Sequence, residues 1–115
     1  MGKKIRFHWL LNGGLTMKDK SLLVKQLEDN GYESILFAFN QGNTDPFVNA
    51  SYLFNFAPKI NYMMAMRTYA VSGMYCAMQC RAFYEAFGKQ PILNLINGTT
   101  DDDQELFCDR QTIQE

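Results

Sequence analysis

Four short apolar runs alternate with segments of helical periodicity along this chain, and that alternation limits the fold more than any other feature. The runs cover residues 5–11, 34–39, 61–66 and 91–96. Each has the length of one strand and is too apolar to leave one side in water, which is typical of parallel strands covered by helices. The sequence therefore predicts an α/β fold built on a parallel sheet with right-handed crossovers.

Helices are expected in the three gaps between these runs, because each gap contains a residue type that commonly caps a helix N-terminus. Glycine is common just beyond the last turn of a helix, so it marks the expected C-termini. The pattern predicts N-caps at Thr16, Asp45 and Ser72, and ends of the first and third helices at Gly31 and Gly88.

Two architectures fit four such units: an open doubly wound sheet, or part of an eight-stranded (β/α) barrel of the TIM type. Gly13 and Gly14 follow the first strand, but this pair is a turn signal and does not form the glycine-rich loop typical of nucleotide-binding sheets. In both architectures ligands bind beyond the carboxyl ends of the strands. The asparagine-rich loops at those ends are therefore the expected functional region.

Composition and charge argue against several classes of function. The 115 residues amount to a single domain over 1–115, and a net charge of -1 offers no global attraction to nucleic acid or to a membrane surface. Lys18, Lys20 and Lys25 are interspersed with acidic residues, as on a solvated helix face. No apolar run is long enough to span a membrane, and no export signal is present, so a cytoplasmic protein is expected.

The cysteines and the acidic run predict no metal site. None of the three cysteines belongs to a C-x-x-C pair. Cys76 and Cys80 lie four residues apart on one face of the third helix, as core residues do. The aspartates at 101–103 precede a helix-like segment, 104–112, and are explained by N-capping.

The junctions between strands and loops are the most distinctive part of the sequence. They are FHWLLNGG at 7–14, NGYESILFAFNQGNTDPF at 30–47, KINYMMAMRTYAVSG at 59–73 and ILNLINGTTD at 92–101. In their order and spacing these junctions resemble those of the bacterial luciferase-like flavin monooxygenases, and most closely the alkanesulfonate monooxygenase branch. The likeness covers nearly the whole chain.

This resemblance implies the first four β/α units of a TIM-type barrel, that is, an amino-terminal half-barrel. It also implies an enzyme that oxidises a small organic substrate, such as a sulfonate, alkane or aldehyde, with O2 as co-substrate and reduced FMN as cofactor. A separate flavin reductase would supply the reduced FMN. In the family, many of the residues that bind the flavin phosphate come from later strands, and so do the catalytic Arg and His residues. No catalytic residue is therefore assigned here.

Four residues are candidate contacts of the cofactor on the basis of the resemblance. Asn43 stands where the alkanesulfonate branch has a cysteine beside the flavin, and Asn97 where the family motif often has a threonine next to the ring. Asn94 and Arg67 match the family motifs directly, although Thr68 replaces the proline that follows the arginine. The alternatives are turn-forming asparagines and an arginine in a structural ion pair.

Three further residues are candidates for the substrate pocket, since the family chemistry needs a dry, mostly apolar cavity. Trp9 and Phe39 supply large apolar surfaces near the predicted strand ends. His8 alternates with Arg6 and Leu10 along the first strand and so is expected to point into the barrel, with a satisfied core histidine as the alternative.

A second function class remains open at this stage. Four units leave the first and last strands as unpaired apolar edges, which call for a partner. A non-catalytic half-barrel that forms a homo-oligomer or docks with a complementary half-barrel would satisfy those edges. A truncated remnant without independent function is the third alternative.

Overall fold

Strands and helices alternate strictly in the computed structural model, which describes residues 5–11, 13–39 and 42–96. Each helix follows one strand and returns the chain to the next. The elements are β1 (His8–Leu11), α1 (Met17–Asp29), β2 (Ser34–Phe37), α2 (Pro46–Leu53), β3 (Asn61–Arg67), α3 (Gly73–Phe87) and β4 (Ile92–Ile96). The helix-like segment expected at 104–112 lies outside the described residues.

The three predicted N-caps are all confirmed. The hydroxyl of Thr16 accepts a hydrogen bond from the N–H of Asp19 at 3.1 Å, and the carboxylate of Asp45 accepts one from the N–H of Val48 at 2.8 Å. Ser72 caps α3 in the same way. At the other end of α3, Gly88 has a φ of 71°, the left-handed conformation that glycine adopts most easily.

The strand ends differ from those expected, because pairing with the neighbouring strand decides them. β1 begins at His8 rather than at residue 5, since His8 pairs with Ser34, the first residue of β2. β2 ends at Phe37, the partner of the last residue of β1, and not at Phe39. β3 runs one residue further than expected, to Arg67, because β4 extends alongside it.

All four strands are parallel, and their order in the sheet is the order in the sequence, β1-β2-β3-β4. With right-handed crossovers, a sheet that always advances in one direction carries all its helices on one face. A doubly wound sheet instead reverses direction at a switch point and carries helices on both faces. The strand order therefore excludes the doubly wound alternative for the described residues and matches a segment of a barrel.

The core lies between the sheet and the three helices. Ile35, Phe37, Tyr62 and Met64 point from the sheet toward the helices and are at most 1% exposed. A network of aromatic rings links β3 to the two later helices, with Phe83 of α3 at its centre. Its members include Phe47, Phe54, Tyr62 and Phe87. Cys76 and Cys80 pack against this core, as predicted.

The opposite face of the sheet carries an apolar central row and is left open by the described residues. One register row across all four strands consists of Leu10, Leu36, Met63 and Ile92. Leu10 is 58% exposed and Ile92 38% exposed, while the two inner residues of the row are half-buried. In a closed barrel this face would form the interior. Within the described ranges, no helix is long and apolar enough to cross a membrane.

Candidate functional site

Three loops meet at the carboxyl edge of the sheet, where parallel strands of this kind commonly bind ligands. They connect β1 to α1, β2 to α2 and β3 to α3. The second loop carries Phe39 and Asn43, and the third begins directly after Arg67. These three predicted site residues are therefore brought to the same edge of the molecule.

Arg67 ties the ends of two strands together. Its Nε donates a hydrogen bond of 2.8 Å to the backbone carbonyl of Phe39, in the loop after β2. Arg67 is buried although it carries a charge, and it makes further polar interactions besides this one. Burial of a guanidinium is costly unless its donors are hydrogen-bonded, and the bond to Phe39 offsets part of that cost. The side chain therefore fixes the geometry of the candidate site whether or not it also touches a ligand.

Phe39 contributes to the site through its backbone, since its carbonyl accepts the bond from Arg67. Its half-buried side chain packs against the core cluster. It also borders an open groove of about 620 Å³ between α2 and α3, which is lined by Phe47, Val71 and Phe83 among others. The structure thus places the Phe39 side chain beside the outer helices.

Asn43 packs over the loop after β1. Its Nδ2 donates a long hydrogen bond, 3.4 Å, to the carbonyl of Ala38. A Cβ atom on Gly13 would lie 2.6 Å from Oδ1 of Asn43 and 3.2 Å from the carbonyl oxygen of Gly42. Glycine at position 13 therefore makes room for this close approach, since a larger residue would displace the Asn43 side chain.

Asn94 lies on the open face of the sheet. It pairs with Ala65, two residues before Arg67, and is half-buried in the middle of β4. Its amide thus faces the same side as the apolar row and lies two residues nearer the carboxyl edge. Asn97, the fourth predicted cofactor contact, lies outside the described residues.

His8 lies on the open face but at the opposite edge of the sheet. Its Nδ1 is hydrogen-bonded to the hydroxyl of Ser34, and both residues start their strands. Ser34 pairs with Asn61, which lies six residues before Arg67. At roughly 3.3 Å per residue, that separation is about 20 Å along the strand direction. The structure therefore does not bring His8 together with the residues at the carboxyl edge.

Trp9 is oriented toward the helix-covered side. It pairs with Ile35, which in turn pairs with Tyr62, and both partners are buried beneath the helices. Its indole makes an edge-to-face contact with Tyr32, with ring centroids 6.0 Å apart. Trp9 remains 39% exposed because β1 is an edge strand of the described sheet. It is therefore separated from both the open face and the carboxyl edge.

One polar group near the carboxyl edge was misassigned from the sequence. Lys20 is only 5% exposed, whereas Lys18 and Lys25 are exposed as expected. Its Nζ donates a hydrogen bond of 2.9 Å to the hydroxyl of Thr44, in the loop after β2. Burial lowers the pKa of the Lys20 ammonium from its ordinary value. The helical periodicity of α1 indicates the burial of Lys20, because residues 20, 24 and 27 share one helical face.

The thiols on α3 are not arranged to bind metal. Burial raises the pKa of the Cys80 thiol, and the neighbouring Cys76 adds to the effect. A thiol with a raised pKa is a poor nucleophile and a poor ligand at neutral pH. The described part of the chain contains no group of three or more potential metal-ligating His, Cys, Asp or Glu side chains.

The fold was compared with solved structures and the sequence with known proteins. The structure is similar to coenzyme F420-dependent tetrahydromethanopterin reductase from Methanopyrus kandleri, with a TM-score of 0.78 over 92% of this chain. The chain has the fold of a half-barrel. Sequence identity over the match is 16%, and the chain spans 32% of the length of that reductase. No protein-family model and no curated protein matches the sequence.

This match confirms the predicted fold class, an α/β half-barrel of the TIM type. An identity of 16% is evidence about the fold alone, so the match carries no residue assignments from one protein to the other. The candidate site therefore depends on the geometry of this chain: the carboxyl edge with Arg67, Asn43 and Phe39, and Asn94 beside it on the open face.

Proposed function

We propose that this chain forms half of a luciferase-like oxidoreductase that uses reduced FMN and O2 to oxidise a small organic substrate. The observation that carries the proposal is the strictly sequential parallel sheet, whose carboxyl edge gathers Arg67 and Asn43 beside an open apolar face. Barrel enzymes place their chemistry at this edge. The resemblance of the four strand-to-loop junctions to the luciferase-like monooxygenases supports the choice of chemistry.

The donor set at this edge fits a flavin-type ring. Such a ring presents carbonyl oxygens and ring nitrogens along one side of a flat apolar surface. The amides of Asn43 and Asn94 offer both donors and acceptors, and the Arg67 guanidinium offers donors alone. Leu36 and Met63 supply apolar surface on the same side of the sheet as Asn94. These residues would orient the ring, and the bound cofactor would supply the electrons for the reduction of O2.

Coenzyme F420 is the alternative cofactor, because the structurally similar reductase depends on it. Coenzyme F420 is a deazaflavin, and its ring has the same outline and the same pattern of carbonyl groups as a flavin. The proposed contacts therefore fit either ring. The flavin reductase that would supply reduced FMN is a partner only in the first case.

A cavity closed to water needs more strands than the four that the structure describes. Reduced flavin must be protected from water while the substrate is oxidised, and the open face here is exposed along Leu10 and Ile92. We propose that further parallel strands cover it, supplied by a second copy of this chain or by a complementary half-barrel. The exposed face and the unpaired edges of β1 and β4 also favour the second function, that of a non-catalytic half-barrel subunit.

Anaerobic titration calorimetry with reduced FMN tests the proposal. The fluorescence of Trp9 is unsuitable as a signal, because Trp9 lies on the helix-covered side near the amino edge. We expect saturable binding by the wild-type protein and by Asn55→Ala, whose exposed side chain bonds only to its own helix region. Asn94→Leu should weaken binding about tenfold, as expected for loss of one hydrogen bond to a ring group.

The outcomes separate the two functions and the two cofactors. Binding of coenzyme F420 in place of reduced FMN would contradict the choice of FMN and leave the oxidoreductase proposal standing. Equal binding by Asn94→Leu and the wild type would contradict the placement of the ring. If the protein is folded by circular dichroism and binds neither cofactor, the enzyme proposal fails and the half-barrel subunit remains.

A further inference from the structure

Lys20 lies at a small polar pocket between the loops that follow β1 and β2. The pocket has a volume of about 60 Å³, which is larger than one water molecule needs and small enough to hold a group of only a few heavy atoms. Besides the lysine, its wall includes three glycines and three polar side chains: Gly13, Gly14, Gly42, Asn43, Thr44 and Asn49. The rest of the wall is apolar and includes Leu11, Leu15 and Phe37.

Hydrogen bonds within the wall fix the direction in which Lys20 donates. The hydroxyl of Thr44 donates to Oδ1 of Asn49 at 2.8 Å, so the oxygen of Thr44 is left to accept from Lys20. The amide of Asn49, itself 3% exposed, bonds back to the carbonyl of Thr44. This network holds the lysine in place from one side through one neutral partner.

No described side chain balances the charge of Lys20. Within the described residues, no carboxylate forms an ion pair with it, and Thr44 accepts the only hydrogen bond from its ammonium group. An ammonium group has three N–H donors, so two are available to a ligand in the pocket. Burial of a cation without a counter-ion is costly. An anion in the pocket would remove that cost, and a lysine is a compact point charge well suited to bind one.

We propose that this pocket binds a small tetrahedral oxyanion, a phosphate or a sulfonate group, with Lys20 as its charged partner. Burial lowers the pKa of the Lys20 ammonium, and a bound anion would oppose that effect. The pocket adjoins the flavin-type ring site proposed above, because Asn43 borders both, but none of the hydrogen bonds of Lys20 involves Arg67 or Asn94. The anion is either a free small molecule or the charged end of a larger one whose remainder extends over the carboxyl edge.

Calorimetric titration of the full chain with inorganic phosphate tests the pocket, with sodium chloride at matched ionic strength as the reference. We expect saturable binding by the wild type and by Lys25→Met, a control that removes an exposed lysine from the same helix. Lys20→Met should bind phosphate at least about tenfold more weakly, because a charge-assisted hydrogen bond is lost. Equal affinity in the two variants would overturn the proposal, as would no binding by the wild type.

A second measurement uses the wild-type protein and so does not depend on the folding of a variant. The pKa of Lys20, followed through the 13C shift of its Cε, should rise when phosphate is added, because the bound anion stabilises the charged form. An unchanged pKa at saturating phosphate would contradict the proposal. Methanesulfonate in place of phosphate distinguishes the two oxyanions, and either one that shifts the pKa supports the site.

Competition between FMN and inorganic phosphate identifies the source of the anion. If saturating FMN abolishes phosphate binding while riboflavin does not, the phosphate of the coenzyme occupies the pocket. If phosphate binds equally well with and without FMN, the pocket takes a separate small molecule. Both results support an oxyanion site. Phosphate binding is measured before any cofactor is added, so the oxyanion site is tested separately from the proposed flavin-dependent function.

Discussion

At the scale of single residues, the carboxyl edge depends on contacts that local sequence signals only partly reveal. The glycine pair after β1 was recognisable as a turn, but the approach of Asn43 to Gly13 joins two loops that are far apart in sequence. The prediction that Lys20 is exposed was wrong. Its acidic neighbours suggested a solvated face, but its position on the helix places it with the buried residues Val24 and Leu27. In that case periodicity was the better guide, since burial follows the helix face rather than local charge.

Replacement of Gly13 by alanine should disturb the candidate site. The new Cβ would lie 2.6 Å from Oδ1 of Asn43 and 3.2 Å from the carbonyl oxygen of Gly42, so the Asn43 side chain must rotate and the backbone at Gly42 must move slightly. We expect a loss of about 1–3 kcal/mol in the free energy of unfolding, which is the usual cost of overpacking, and weaker ligand binding at the carboxyl edge. Gly73→Ala is the control, because a Cβ at residue 73 meets nothing within 4 Å. Urea unfolding of both variants makes the comparison, and equal stabilities would contradict the account.

At the scale of secondary-structure elements, helix ends were predictable and strand ends were not. A cap such as Thr16 or Ser72 accepts a hydrogen bond from an N–H only three residues further along the chain, so local sequence is enough to predict it. A strand ends where its neighbour does, so the ends of β1 and β2 depend on a register that local sequence does not contain. His8 and Trp9 were both predicted to line the pocket, but neighbouring residues of a strand face opposite sides of the sheet, and only His8 lies on the open face.

One side chain connects two elements through its hydroxyl. Tyr62 on β3 bonds to the carbonyls of Leu53, which ends α2, and of Ala57, at 3.1 Å and 2.6 Å. Burial raises the pKa of the Tyr62 hydroxyl, with a smaller contribution from the charge of Glu28. The group therefore remains a neutral donor at neutral pH.

Tyr62→Phe should lower the free energy of unfolding by about 1–2 kcal/mol, because it removes the hydroxyl that donates to the buried Ala57 carbonyl, whereas the Leu53 carbonyl still accepts from backbone N–H groups. Tyr52→Phe, on the exposed side of α2, should have little effect. Chemical denaturation of the two variants gives the comparison. If Tyr62→Phe is as stable as the wild type, the hydroxyl does not fasten α2 to the sheet.

At the scale of the whole molecule, apolar runs and their alternation with helices were enough to predict a parallel α/β fold, and the half-barrel was implied by the resemblance of the strand-to-loop junctions. The strand order was not encoded locally, and it decided between the two architectures that the sequence left open. The location of the site was predicted only in part. Arg67 and Asn43 meet at the carboxyl edge, whereas His8 and Trp9 do not reach it, because strand position and side-chain direction both matter.

Exposed apolar side chains border both edge strands, and this predicts association. Leu10 of β1 lies on the open face, and Leu95 of β4, 61% exposed, lies on the side of the helices. Leu10→Lys should shift the protein from an assembly toward the 13.3 kDa chain, since a charge on the interface is costly to desolvate. Leu22→Lys, at a similarly exposed position on α1, should leave the assembly unchanged. Sedimentation equilibrium measures the masses, and a wild-type protein that is monomeric at all concentrations would contradict self-association.

Amide chemical shifts test most directly whether the cofactor binds at the carboxyl edge of the sheet. The measurement is a titration of the 15N-labelled protein with FMN under reducing, anaerobic conditions. We predict saturable shifts at Phe39, Asn43, Arg67 and Asn94, with no shifts at His8, Ser34 and Asn61 of the amino edge. Shifts concentrated at the amino edge or on the outer helices would contradict the account.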